Sequence, residues 1–250
     1  MSKTTRTSLT HESIVVIGPD SRFQNTLRRE VASLPAQVFT ADDLSDLHSR
    51  LDTIRQPPSI IIIPETQIAA TGFEEELAEL RVRTRSEQLI PIAYGRSPSE
   101  GRRQELREAG VDLALFGRFG RHALRFQVNR ALSPWATRAP RGEIRAPQEW
   151  RTRTYSSGKA KTVRCYSLSS AGAYFVTPRP WVVGSEVAFE LPLRGEKQLI
   201  GGHILYTHES GDTQRSSLPG GMAVAFSEIS PSLEDLIRRG VTATQGGLHV

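Results

Sequence analysis

The sequence predicts an α/β half followed by an all-β half: a flavodoxin-like five-stranded parallel sheet, then a six-stranded β-barrel with a C-terminal helix. Three observations predict it. Short apolar runs alternate five times with apolar residues at helical spacing, within about 120 residues. The run Ser59–Ile63 (SIIII) is apolar on both faces, as the centre of a parallel sheet requires. After Pro147 the helical spacing stops, and six short runs follow between Gly, Pro and Ser turns.

The elements of the first half read as follows. Ser13–Ile17 is a β-branched run ended by Gly18, Pro19, Asp20 and Ser21. Phe23, Leu27 and Val31 then mark a helix, and Val38–Phe39 a weak second strand. Leu44, Leu47, Leu51 and Ile54 mark a second helix, stopped by Pro57–Pro58. After the Ser59–Ile63 strand, Phe73–Arg83 is helical, with acids at its start and Arg at its end, as the helix dipole prefers. Leu89–Tyr94 is a strand, Gly101–Ala109 a helix stopped by Gly110, Val111–Phe116 a strand and Arg121–Leu132 a helix.

Ala131–Pro147 is rich in Pro, Arg and small residues, a linker by composition. Beyond it, Gln148–Tyr155 turns at Ser156–Gly158 into Thr162–Tyr166, and Ala173–Val176 is a third strand. Glu186–Leu193 pairs with Gln198–His208, and Gly221–Ser227 is the sixth strand. Gly201–Gly202 inside a strand predicts a bulge. The last helix has Ser230 at its N-cap, Pro231 at the first helical position and Gly240 just past its end.

Composition excludes several classes. The longest apolar run, Ile60–Ile63, falls far short of the roughly 20 residues of a membrane span. The N-terminus lacks an apolar h-region, and a single cysteine, Cys165, rules out an internal disulfide or cysteine-based zinc site; the expected compartment is the cytoplasm. The chain carries a formal net charge of +5, and the excess lies late. There are 18 basic and 17 acidic residues through Trp135, but 14 and 10 from Ala136 onward. The second half is therefore the better candidate for an anionic ligand. Of 32 basic residues 28 are Arg, which forks onto phosphate and stacks on bases better than Lys. The excess is too modest, and helix-turn-helix or RNA-platform patterns too absent, for a nucleic-acid binder. No Ser/His/Asp or Cys/His constellation and no phosphate loop is present, so no enzyme, cofactor or metal site is expected. His203 and His208 fall on opposite strand faces, and Cys165 reads as a buried hydrophobe. Trp150, Tyr155 and Tyr174 fit either the barrel core or the rim of a ligand site.

Residues 12–133 resemble a response-regulator receiver domain. The strand–helix alternation carries the resemblance, with Glu105–Phe119 (ELREAGVDLALFGRF) as its best stretch and Gly72 eight residues after Pro64. The resemblance implies a phospho-acceptor Asp after the third strand, an acidic pair for Mg²⁺ after the first and a Lys after the fifth. Those positions hold Pro64, Gly18–Pro19 and Gly117. Neither residue type accepts a phosphoryl group or ligates Mg²⁺ through its side chain. A one-residue slip restores Asp20 or Glu65 but not the Lys. The half is therefore expected to be a pseudo-receiver that docks a partner or a second copy.

Residues 141–240 resemble a PilZ domain, the bacterial receptor for cyclic di-GMP. Arg141 and Arg145 form an Arg-x-x-x-Arg pair, inside a basic linker over 134–147. Ser167-Leu-Ser169-Ser-Ala-Gly172 matches the family's Asp/Asn-x-Ser-x-x-Gly turn, 22 residues after Arg145. The tail GGMAVAFSEISPSLEDLIRR resembles the family's last strand and helix. The resemblance implies that Arg141, Arg145, Ser167, Ser169 and Gly172 bind cyclic di-GMP, with Arg151 and Arg153 as additional contacts. Arg suits two phosphodiesters and two guanines, through forked hydrogen bonds and stacking. Ser167 departs from the family's Asp/Asn, and losing one such hydrogen bond costs about 1–3 kcal/mol. The expectation is a non-enzymatic cyclic di-GMP effector in a bacterial motility or biofilm pathway. The alternative is a degenerate adaptor that acts through protein contacts without the ligand.

Overall fold

The structure, a computed structural model, describes residues 12–34, 36–54, 56–69, 71–86, 89–132, 144–193, 195–209, 218–227 and 229–250. They divide into two compact units, Met1–Asp112 and Leu113–Val250.

The first unit alternates β1 (Glu12–Ile17), α1 (Arg22–Ala32), β2 (Ala36–Ala41), α2 (Leu44–Arg50), β3 (Ile60–Pro64), α3 (Phe73–Thr84), β4 (Ile90–Gly95) and α4 (Glu100–Glu108). With β5 (Leu113–Phe116), the strands form a five-stranded sheet in the order β2-β1-β3-β4-β5. The pairs of β1 with β2 and β3, and of β3 with β4, are parallel. This is the flavodoxin-like order. Ile14–Ile17 and Ile60–Ile63 are fully buried, which is why their runs carry no polar alternation. Ser21, Asp43 and Ser99 cap α1, α2 and α4 by accepting a backbone N–H from three residues on. Gly72 opens α3 at φ +88°, a conformation that favours glycine. β2 is six residues long rather than two. As an edge strand it buries little, so its apolar signal is weak.

The second unit holds β5, α5 (Arg121–Ala131) and the barrel strands β6 (Ala146–Pro147), β7 (Arg151–Ser156), β8 (Lys159–Leu168), β9 (Gly172–Val176), β10 (Glu186–Leu193), β11 (Glu196–His208) and β12 (Gly221–Phe226), followed by α6 (Pro231–Gln245). Strands run β8-β7-β10-β11-β12-β9, and β9 returns to β8, closing a six-stranded barrel; β6 is a short addition beside β8. Alternate residues fill the core: Val163 and Cys165, Ala173 and Phe175, Val187, Phe189 and Leu191, Ile200 and Ile204, Met222 and Val224. Ser157 and Gly158, both at positive φ, make the two-residue β7–β8 turn.

Two expectations are corrected, and one open choice is resolved. The last helix does not stop at Gly240 but continues to Gln245. Ile237, Val241 and Gln245 are spaced by four and all buried, and that burial outweighs the roughly 1 kcal/mol that an interior glycine costs. The β11 bulge lies between Ile204 and Tyr206, not at the paired glycines. Gly202 instead allows close approach: a Cβ there would sit 2.3 Å from the Ala225 carbonyl oxygen of β12. The three aromatic residues also part company. Trp150 packs on the core beside Phe175, Tyr155 bonds Glu190 on the outer face, and Tyr174 lies between Tyr166 and Tyr206 in an outward aromatic row.

Two contacts inside this unit were not expected. Tyr166, at the outer face of β8, meets α5. The His122 Nε2–H donates to its carbonyl at 2.7 Å, and the Asn129 amide donates to its hydroxyl at 2.5 Å. After α6 the chain returns to β5. Phe116 N–H donates to Gly247 O (2.7 Å), Ala114 N–H donates to Leu248 O (3.2 Å), and Leu113 faces His249 in an antiparallel bridge. No helix among the described residues is long and apolar enough to cross a membrane.

Candidate functional site

The candidate ligand corner is where β6, the end of β8 and the start of β9 meet. Ala146 pairs with Leu168 and Pro147 with Ser167. Arg145 directly precedes Ala146 in the chain, and Ser169 directly follows Leu168. Ser167 and Ser169 are both buried. The Ser169 N–H and hydroxyl both donate to the Gly172 carbonyl, at 2.8 and 3.2 Å, so Ser169 closes the turn. Gly172 does not take a positive φ. A Cβ on it would sit 2.5 Å from the Val224 carbonyl oxygen, so glycine is needed there for β9 to approach β12. Arg145 is half-buried, and its carbonyl accepts the Gln245 side-chain amide. Burial pushes the Cys165 thiol far above its ordinary value, and the nearby Arg145 charge opposes that rise.

Of the sequence-predicted binding residues, Arg145, Ser167, Ser169 and Gly172 come together at this corner. Arg141 lies outside the described residues. Arg151 and Arg153 are exposed on the outer face of β7, and Arg151 pairs directly across from Arg164, three residues before Ser167. Like charges directly opposite in a ladder destabilise it, so this exposed pair does not add to the stability of the barrel. Arg164, Tyr166 and Gln245 were not singled out from the sequence. Arg164 carries the one available signal, a cation on the strand leading into the Ser-x-Ser turn.

The receiver-like unit is filled where a phosphoryl site would be. Gly18, at φ +141°, has the Tyr94 hydroxyl against it, and a Cβ there would lie 2.3 Å from that oxygen. The Tyr94 hydroxyl lies 2.9 Å from the Ile17 carbonyl and 2.6 Å from Gln24 Oε1, and burial pushes its pKa up to about 12. Asp20 pairs with Arg28 at 2.5 Å, and Arg28 also donates to the Gly18 carbonyl. Beyond Pro64, Arg102 donates to the Glu65 and Ile68 carbonyls at 2.5 and 2.6 Å and lies 3.4 Å from the Glu65 carboxylate. The two acids that a register slip would recruit are thus both held by arginine. Gly117, at φ +72°, offers no side chain. Among the described residues no group of His, Cys, Asp and Glu could hold a metal ion.

In fold, the chain is a five-stranded sheet in flavodoxin-like order followed by a closed six-stranded barrel with a C-terminal helix. No family model matches it, and no curated protein matches it. Among solved structures it is similar to the Bacillus subtilis inhibitor of motility MotI/DgrA, at 13% identity and TM-score 0.36, over 43% of this chain and 52% of that one. It therefore spans about half the length of MotI/DgrA. It is similar to the PilZ domain of YcgR from Escherichia coli, solved with c-di-GMP, at 17% identity and TM-score 0.36, over 43% and 92% of the two chains. It is also similar to the Vibrio cholerae chemotaxis protein CheY4, at 17% identity and TM-score 0.40, over 49% and 99%.

Proposed function

We propose that this chain is a non-enzymatic cyclic di-GMP effector that acts in the cytoplasm through protein contacts. In this reading residues 141–240 bind the ligand, and residues 12–133 form a pseudo-receiver that meets the partner. The observation that supports it is the β6–β8 register, in which Ala146 pairs with Leu168 and Pro147 with Ser167, so that the Arg145 segment runs along the Ser167–Gly172 turn. Arg141, four residues upstream on the same segment, supplies the second cation. Two arginines on one segment suit a compact ligand with two phosphodiesters. Arg151 and Arg153, with Arg164, add positive potential along the approach. Ser167, shorter than Asp or Asn, lowers affinity about ten- to a hundredfold without removing the cations. The family resemblance extends the proposal to motility or biofilm control.

A second reading, a ligand-independent adaptor, draws on Tyr94 filling the phosphoryl site and on the Ser167 substitution. Calorimetric titration with cyclic di-GMP separates the two. The proposal expects micromolar or tighter binding that Arg145→Ala or Arg141→Ala abolishes while the barrel stays folded. Absence of binding to the folded wild-type protein at high micromolar ligand overturns it in favour of the adaptor.

A further inference from the structure

The Arg145 segment is tied to β5 by a continuous series of hydrogen bonds. The Gln245 side chain, buried at 7% exposure, donates to the Arg145 carbonyl. The Gln245 carbonyl accepts the Leu248 N–H at 2.8 Å, turning the chain out of α6. The Leu248 carbonyl then accepts both the Ala114 N–H of β5 and the Gln127 side-chain amide of α5, and Gly247 O accepts the Phe116 N–H. Gln127 is fully buried and also donates to the Ala114 carbonyl, so one amide joins β5 to the returning strand. Gly247 suits this path: a Cβ there would lie 2.8 Å from the Phe116 carbonyl oxygen. Leu248 and Val250 are buried. The other side of the ligand corner, Tyr166 beside Ser167, is held by His122 and Asn129 of α5. Both halves of the corner therefore bear on β5 and α5 through named bonds.

We propose that Gln245 is a positioning residue for the Arg145 arm, and that the strap Gly246–Val250 carries the arm's ligand state to β5. This rests on the cyclic di-GMP reading of the corner. Gln245 fixes the carbonyl of the residue whose guanidinium meets the ligand, so the arm is ordered before binding and less entropy is lost on capture. In the other direction, a ligand that clamps Arg145 holds Gln245 and pins the strap on β5. Without ligand the strap opens more often, and the Ala114 and Phe116 amides meet solvent. Linkage makes the effect reciprocal: whatever factor the ligand adds to strap closure, the closed strap adds to ligand affinity.

The test is amide hydrogen exchange at Ala114 and Phe116 in the full-length protein, with and without cyclic di-GMP. Exchange is expected to slow roughly 5- to 20-fold with ligand. Gln245→Met keeps the shape and removes the donor; it should abolish the slowing and weaken ligand binding by a similar factor. A chain ending at Gln245 should weaken binding equally, and Gln245→Glu serves as a second donor-free variant if Gln245→Met unfolds. Ligand binding that leaves the Ala114 and Phe116 rates unchanged, or slowing that survives in both Gln245 variants, overturns the inference. If the wild-type protein does not bind cyclic di-GMP, the ligand reading fails on its own. The strap is then judged without ligand: faster exchange at both amides in Gln245→Met supports the Gln245–strap coupling, and unchanged rates overturn it.

Discussion

Replacing Gly172 with Ala separates a binding role from a folding role at one atom. The added Cβ would meet the Val224 carbonyl oxygen at 2.5 Å. That oxygen belongs to the β12 backbone and cannot rotate aside. Restoring van der Waals distance requires β9 and β12 to separate by about 0.9 Å at this point. The Phe226 N–H to Ala171 carbonyl bond, 2.8 Å in the native barrel, lies beside the contact and lengthens past bonding distance. The turn bond from Ser169 N–H to the Gly172 carbonyl, also 2.8 Å, is disturbed with it. Two weakened bonds at about 1 kcal/mol each, with the overpacking strain, make a loss of about 2–3 kcal/mol. Urea unfolding followed by tryptophan fluorescence reads this directly, because Trp150 and Trp181 pack on the barrel core. The midpoint should fall by about 1 M. A Gly172→Ala protein with the wild-type midpoint and no cyclic di-GMP binding would refute the reasoning and make Gly172 a ligand contact.

Two further outcomes follow from buried groups. Tyr94→Phe leaves Gln24 Oε1 buried without its donor, and should destabilise the receiver-like unit by about 1–3 kcal/mol in denaturant titration; an unchanged midpoint would show that the hydroxyl does not hold Gln24. Burial holds the His122 imidazole below its ordinary value, against the raising effects of its bond to Tyr166 and of Glu149. The unfolded chain therefore takes up a proton that the folded chain resists. The contribution of His122 is complete above the unfolded value of about 6.5 and is lost as pH falls below it toward the folded value. Urea midpoints should drop between pH 7.5 and 5.5, and His122→Gln should shrink that drop; an undiminished drop would move the effect to another group.

Much of the fold was legible because its signals are local. Ile60–Ile63 announces a two-sided central strand from four residues, and Ser230–Pro231 announces a helix start from two. β2 was half-legible, because it buries little: Gln37 and Thr40 are exposed and only Ala41 is buried, so the strand carries few apolar residues to read. The end of α6 was misread for a physical reason: Gly240 terminates a helix only where nothing beyond it is buried, and Val241 and Gln245 are. The candidate corner was marked in the sequence by spacing, since 22 residues separate Arg145 from Ser167, but the packing work of Gly172 was not. Its constraint comes from Val224, 52 residues away, and no local pattern holds that distance. The same holds for Tyr94, which reads as the end of a strand until Gly18 and Gln24 are folded against it. The strap is the extreme case. Its few residues carry no strand signal, and their meaning lies in bonds to residues more than a hundred positions earlier.

Closing the barrel through β8 and β9, and laying the last residues along β5, leaves one open ladder among the described strands. Among described strands longer than two residues, β2 alone has a side with no neighbouring strand. Ala36–Ala41 is therefore the exposed edge among the described strands, and its six residues carry no charge to discourage strand addition. A lysine at the exposed Gln37 would protect that edge while leaving the core and the ligand corner untouched.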